Sequence, residues 1–274
     1  MRRRAVGRAV MSDAVAAQRV REGRRDAFLL LVDRHSAAVH AYLRTCLTDR
    51  GEVDSLTEET FRRAYAVALR GTEPYTHWRV QLLTTARGLA VSAWARDPYS
   101  MNVADGFRYW AARGGVWPLM ARSALFEAYR SLPLRWQTVL WHTAVEEDGP
   151  ALTTDVLGLP RGQYTTVTGR ARQAIREFYL DVYRRAAVRR PSCTAFVQSY
   201  SRRPAIVSAA EWARARAHAI RCVRCGEVEL DLSDIGYQLC AQLPAALLGW
   251  WHDPLYREAR ATPLPMSPPA FPRR

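Results

Sequence analysis

Apolar positions recur along this chain at three- and four-residue spacing, the period of helices that bury one face. Phe28, Leu31, Val32, His35, Val39, Tyr42, Leu43 and Cys46 mark such a face on a first helix. Because His35 and Cys46 lie on that stripe, they read as core residues rather than ligands. After Gly51, the run from Val53 to Phe61 opens a second helix with its acids near the positive end of the helix dipole. Gly71 and Pro74 close it. A third helix runs from about Trp78 to Trp94, with Leu82, Ala86, Leu89, Ala90 and Ala93 inward.

Residues 98–122 hold Pro98, Gly106, Gly114, Gly115 and Pro118 with no sustained period, and read as a linker made sticky by Phe107, Tyr109, Trp110 and Trp117. Beyond it, Leu152–Leu157 forms a short helix broken at Gly158, which suits the left-handed conformation that ends helices. Pro160 suits the first turn of the next helix. There Tyr164, Val167, Ala171, Ile175, Phe178 and Val182 form an apolar stripe. Thr165, Thr166, Gln173 and Arg176 occupy the other face, with Arg170 and Arg172 on its flanks. Two helices across a tight glycine turn, the second polar and Arg-rich outside, have the layout of a helix-turn-helix.

Charge sharpens this picture. Forty basic side chains against 26 acidic ones give a net charge of +14, and every basic residue is Arg. Arg binds phosphate and guanine edges bidentately, so the charge predicts a polyanionic partner, nucleic acid first. No stretch reaches the ~18 apolar residues of a membrane span. Met-Arg-Arg-Arg at the start lacks the apolar core of a signal peptide, and Met11 is an alternative start. Five cysteines in 274 residues make no secreted disulfide framework. The expected location is the cytoplasm.

Leu132-Pro133, Val139-Leu140, Val156-Leu-Gly-Leu159 and Gly169-Arg-Ala-Arg172 follow one another at the intervals of the promoter-reading region of sigma-70 family sigma factors. The chain resembles the small, extracytoplasmic-function kind. That resemblance implies an N-terminal region that grips core RNA polymerase and melts promoter DNA. Asp54, Glu58 and Glu59 would meet the polymerase clamp, and Arg96 would touch phosphate. Arg161, Gln163, Thr165, Thr166, Arg170 and Arg172 would form the second DNA-binding set. Three departures are visible. Gly88 follows Ala86-Arg87 where the family usually has Asn, Gln81 stands where Trp is usual, and Thr165-Thr166-Val167 replaces a Lys-Ser-Arg-like run. Fewer aromatic faces weaken the capture of unstacked bases. The alternative is therefore a DNA- or polymerase-binding regulator that has lost promoter opening.

The C-terminal part carries different chemistry. His218 and Cys222 are four apart and face the same way on a helix, and Cys225 continues that face one turn on. Imidazole and thiolate with a Cys-x2-Cys pair suit tetrahedral Zn²⁺. Cys193 would be the fourth ligand, brought back by an antiparallel helix ending near Tyr200, with Cys240 as the competitor. The segment from about Cys193 to Trp250 resembles the zinc-binding anti-sigma domain that restrains many such sigma factors. It implies that Leu243–Trp251 packs on the sigma-like regions. Metal loss is expected to expose Trp250 and Trp251.

The expected fold is all-α. Its parts are a basic leader (1–24), a sigma region 2-like domain (25–97), a linker (98–122), a region 4-like helix-turn-helix domain (123–186), an anti-sigma-like zinc domain (187–255) and a disordered Pro-rich tail (256–274). The expected function is promoter recognition with core polymerase, restrained by the chain's own zinc domain, without a membrane and without catalysis. A catalytic zinc needs an open position and a nearby base, and no acid lies in the His218–Cys225 run.

Overall fold

A computed structural model describes residues 10–72, 77–100, 102–115, 123–187, 190–201 and 207–262. Among them the protein is all-α. The only sheet-like pairing among the described residues is an isolated antiparallel bridge between Leu47 and Val103. Pro74 and Trp117 fall outside the described residues, as does 263–274.

The chain divides into two compact units. The first comprises 1–117, 148–164 and 244–274, and the second comprises 118–147 and 165–243. The boundary at 164/165 falls inside the stretch expected to form one helix-turn-helix domain.

In the first unit, α1 (Asp13–Arg21), α2 (Phe28–Cys46), α3 (Arg50–Arg70) and α4 (Trp78–Arg96) form from the expected stripes. Asp49 caps α3 through its side chain, and Gly71 ends it with a left-handed φ of 71°. The predicted face of α2 is inside, including His35 and Cys46. Polar groups join three of these helices. Asp13 bonds His35 Nε2 at 2.7 Å and Arg34 at 2.6 Å, and Arg79 Nε donates to His35 Nδ1 at 2.9 Å. Since Arg79 can only donate, Nδ1 accepts and Nε2 carries the proton given to Asp13. Burial raises the Asp13 pKa, but the hydrogen bonds from His35 and Arg34 and the Arg34 charge outweigh it, and the net shift is downward.

Residues 13–21 of the basic leader form α1, capped by Ser12, with Ala16, Ala17 and Val20 buried. Two expectations change here. Residues 105–112, read as linker, form α5 (Asp105–Ala112), which buries Phe107 and Trp110. Residues 253–261, most of them assigned to a disordered tail, form a helix, Asp253–Ala261, with Tyr256 buried. Its start is built from the His252 side chain, which accepts from the Leu255 N–H, and a proline in the first turn.

Residues 244–262 belong to the first unit. Trp250 donates from its indole to Thr45 at 3.0 Å, and its carbonyl accepts from Tyr42 at 3.1 Å. Its ring meets Phe107 edge-on at 5.7 Å. Arg87 donates to the Leu248 carbonyl at 2.7 Å. Trp250 is thus held by α2 and α5 of its own unit.

The second unit contains α6 (Ala124–Ser131) and α7 (Leu134–Leu140), which runs on into a π-helical turn, Trp141–Val145. It also holds most of α9 (Tyr164–Ala187), then α10 (Pro191–Ser201), α11 (Ala209–Arg221), α12 (Val223–Ser233) and the first part of α13 (Ile235–Leu248). The remaining helices, α8 (Pro150–Leu157) and α14 (Asp253–Ala261), lie in the first unit.

Candidate metal centre and nucleic-acid face

Four side chains in the second unit converge. One possible ligand atom from each of Cys193, His218, Cys222 and Cys225 lies within 4.8 Å of all the others. Cys193 Sγ and Cys222 Sγ are 3.9 Å apart, and His218 Nε2 and Cys225 Sγ are 3.2 Å apart. Zinc bonds of about 2.3 Å to sulfur and about 2.0 Å to nitrogen give tetrahedral edges of roughly 3.5–3.8 Å. The spacing and donor set therefore fit a metal ion with four protein ligands. Cys193 joins the cluster, and its competitor Cys240 does not.

The local path differs from one continuous helix. α11 ends at Arg221, Cys222 is extended with φ −117° and ψ 103°, and α12 starts at Val223. That bend turns the Cys-x2-Cys pair back toward His218. Gly226 permits it, because a Cβ there would lie 3.0 Å from the Ala219 carbonyl oxygen. α11 begins with a capping box in which Ser208 and Glu211 satisfy each other's backbone groups.

The cysteines are electrostatically unlike. The Cys225 backbone N–H, followed by hydrogen bonds from Cys225 and Cys193, lowers the Cys222 pKa. Burial pushes the Cys225 thiol up to about 12. One residue that the spacing gave no reason to choose touches this group. Tyr183 of α9 places its hydroxyl 3.2 Å from Cys225 Sγ. It lies 42 positions away, so only the packing of α9 reveals it.

The expected DNA-contacting residues sit on short and long elements in turn. α8 ends at Gly158 with φ 66°, where an added Cβ would lie 3.0 Å from Ser12 Cβ. A 3-10 turn, Arg161–Gln163, follows, with Arg161 and Gln163 exposed. On α9, Thr165, Thr166, Arg170 and Arg172 are exposed, while Val167, Ala171 and Ile175 are buried. Phe178, expected on the apolar stripe, is partly exposed. Arg96, at the end of α4, is exposed.

The expected polymerase-facing acids differ in availability. Glu58 is exposed, Asp54 bonds His40 at 3.1 Å, and Glu59 is clasped by Arg62 and Arg63. The hydrogen bond from Arg63 lowers the Glu59 carboxyl most; burial opposes it, and the hydrogen bond from Arg62 with the charges of both arginines leaves the net shift downward.

Among the described residues, no helix is long and apolar enough to cross a membrane. No family model matches the sequence, and no curated protein matches it.

Proposed function

We propose that this chain is a sigma-factor-like transcription initiation protein that binds core RNA polymerase and promoter DNA. The observation that carries the reading is α9. Exposed Thr165, Thr166, Arg170 and Arg172 lie over a buried face of Val167, Ala171 and Ile175, after a left-handed glycine and a one-turn connection. Arg170 and Arg172 hold phosphate, and Gln163, Thr165 and Thr166 reach base edges. Removing both arginines should weaken binding to all sequences and reduce the slope of log affinity against log salt by about 1.8, at about 0.9 per phosphate. Changes at Gln163, Thr165 or Thr166 should alter the preferred sequence instead. Unchanged binding in every variant would overturn the reading.

Polymerase binding is assigned to α3, with Glu58 as its most available acid. Reversing Glu58 and Glu59 to Arg should abolish co-purification with core polymerase. Retained co-purification would remove α3 from the interface.

In the same proposal, Cys193, His218, Cys222 and Cys225 hold one Zn²⁺. Four protein ligands leave no open position, so the ion ties α10, α11 and α12 together rather than activating water. Restraint by the chain's own C-terminal part falls to residues 244–262, which hold Arg87 and Tyr42.

A second reading, a regulator that binds without opening promoters, has its own support. Gly88 is exposed with open space around its α-carbon, and Arg87 beside it is engaged by Leu248. Neither offers a surface on which an unstacked base would rest.

A further inference from the structure

We propose that Tyr183 is the outer-sphere partner of the metal-bound Cys225 thiolate, so that α9 is itself a wall of the metal site. The inference rests on the reading of the Cys3His cluster as a metal centre, and it adds a residue that is not a ligand.

The geometry is specific. Tyr183 is buried, and its hydroxyl stands 3.2 Å from Cys225 Sγ, inside the range for a hydrogen bond to sulfur. A thiolate only accepts, so with metal bound the phenol must be the donor. Cys225 needs such a donor more than its neighbours do, because it is the most buried of the four. A buried thiolate without hydrogen bonds is costly, and groups that fix and polarise ligands from outside are part of how metal sites are built.

One turn earlier, Tyr179 makes the comparison that separates a metal role from a packing role. Its hydroxyl donates to the Asp231 carboxylate, so it too links α9 to α12. Asp231 is not part of the cluster. The two tyrosines therefore share helix, direction and partner helix, but only Tyr183 reaches a ligand atom. The same α9 carries Thr165, Thr166, Arg170 and Arg172. Metal binding should accordingly steady its C-terminal half as well as α10–α12.

The test loads Co²⁺ into the intact chain as wild type, Tyr183→Phe and Tyr179→Phe. Affinity is read by chelator competition, and ligation by the thiolate-to-cobalt charge-transfer band. Tyr183→Phe should keep four-coordinate binding of one ion, shift that band to lower energy as the thiolate loses its donor, and weaken binding about tenfold. Tyr179→Phe should leave the band in place. Metal loading should slow amide exchange across 173–185 in wild type and do so less in Tyr183→Phe. A Tyr183→Phe protein with the wild-type band and affinity overturns the inference alone. Equal band shifts in both variants overturn it too, since the effect would then come from helix packing. A wild type that takes up no Co²⁺ under reducing conditions overturns the metal reading and this inference together.

Discussion

In the first unit Phe28, Leu31, Tyr42, Leu43, Phe61 and Phe107 are sealed from solvent, and Trp250 fits among Tyr42, Thr45 and Phe107. Around the Cys3His cluster of the second unit, the buried positions on α11 are Ala215 and Ala219. Phe196, Val197, Val228 and Leu232 are buried on the neighbouring helices, but other large apolar side chains stand outside, with Ile220 85%, Val223 78% and Leu230 64% exposed. Large side chains bury more apolar area per residue and stabilise accordingly, at about 25 cal/mol per Å². Small ones leave a deficit that a cross-linking ion can supply. The contrast teaches that one part of this molecule is held by its apolar core alone, whereas around the cluster a smaller apolar layer with Phe196, Val228 and Leu232 is joined to ligand chemistry. Metal should matter to 190–243 and be nearly silent in 28–96.

The strongest way to break the contrast is to remove the ligands. Cys222→Ser with Cys225→Ser should abolish metal binding and forfeit metal-linked folding energy, on the order of 10 kcal/mol for structural zinc sites in small peptides. Hydrogen exchange should then accelerate across 190–243 while α2, α3 and α4 keep their protection. Equal acceleration in both would mean that the units do not differ as claimed. The next largest effect should come from the opposite side. Trp250→Ala removes a buried indole and its bond to Thr45, and should cost about 3–5 kcal/mol in chemical denaturation of the first unit, with metal content unchanged.

A smaller effect is expected at Gly158. Alanine there must adopt φ 66° with its Cβ 3.0 Å from Ser12 Cβ, a cost of about 1–2 kcal/mol from the backbone conformation. The mildest perturbation is acid. The Asp13 pKa is lowered on folding, so its contribution is complete above the ordinary value of 3.8 and is lost as pH falls below it toward the folded value. Asp13→Asn should therefore flatten the acid limb of first-unit stability between those pH values, as read by Trp250 fluorescence. An unchanged acid limb would remove Asp13 from the account of that unit.

The long helices were legible because 19 residues of α2 and 21 of α3 repeat the helical period many times. α5 and α14 were not, for a physical reason. With eight and nine residues they offer barely two turns of pattern, and Gly106 and Pro254 resemble loop residues unless read as parts of helix starts. Proline at a first turn was a usable signal for α14. At the cluster, the spacing of His218, Cys222 and Cys225 was readable, although the bend at Cys222 was not. Cys193 was chosen over Cys240 on the expected return of an antiparallel helix, whereas Tyr183 needed the packing of α9. That packing depends on contacts between segments far apart in sequence, for which local periodicity carries no information.

The most direct measurement of the central claim is transcription from a promoter library by core RNA polymerase with the purified full-length chain. The account predicts transcripts that depend on added protein, start downstream of a shared sequence, and disappear when Arg170 and Arg172 are both changed to Ala. Promoter binding without any transcript would favour the regulator that does not open DNA. Neither binding nor transcripts, with the protein folded and metal-loaded, would contradict the sigma-factor-like reading.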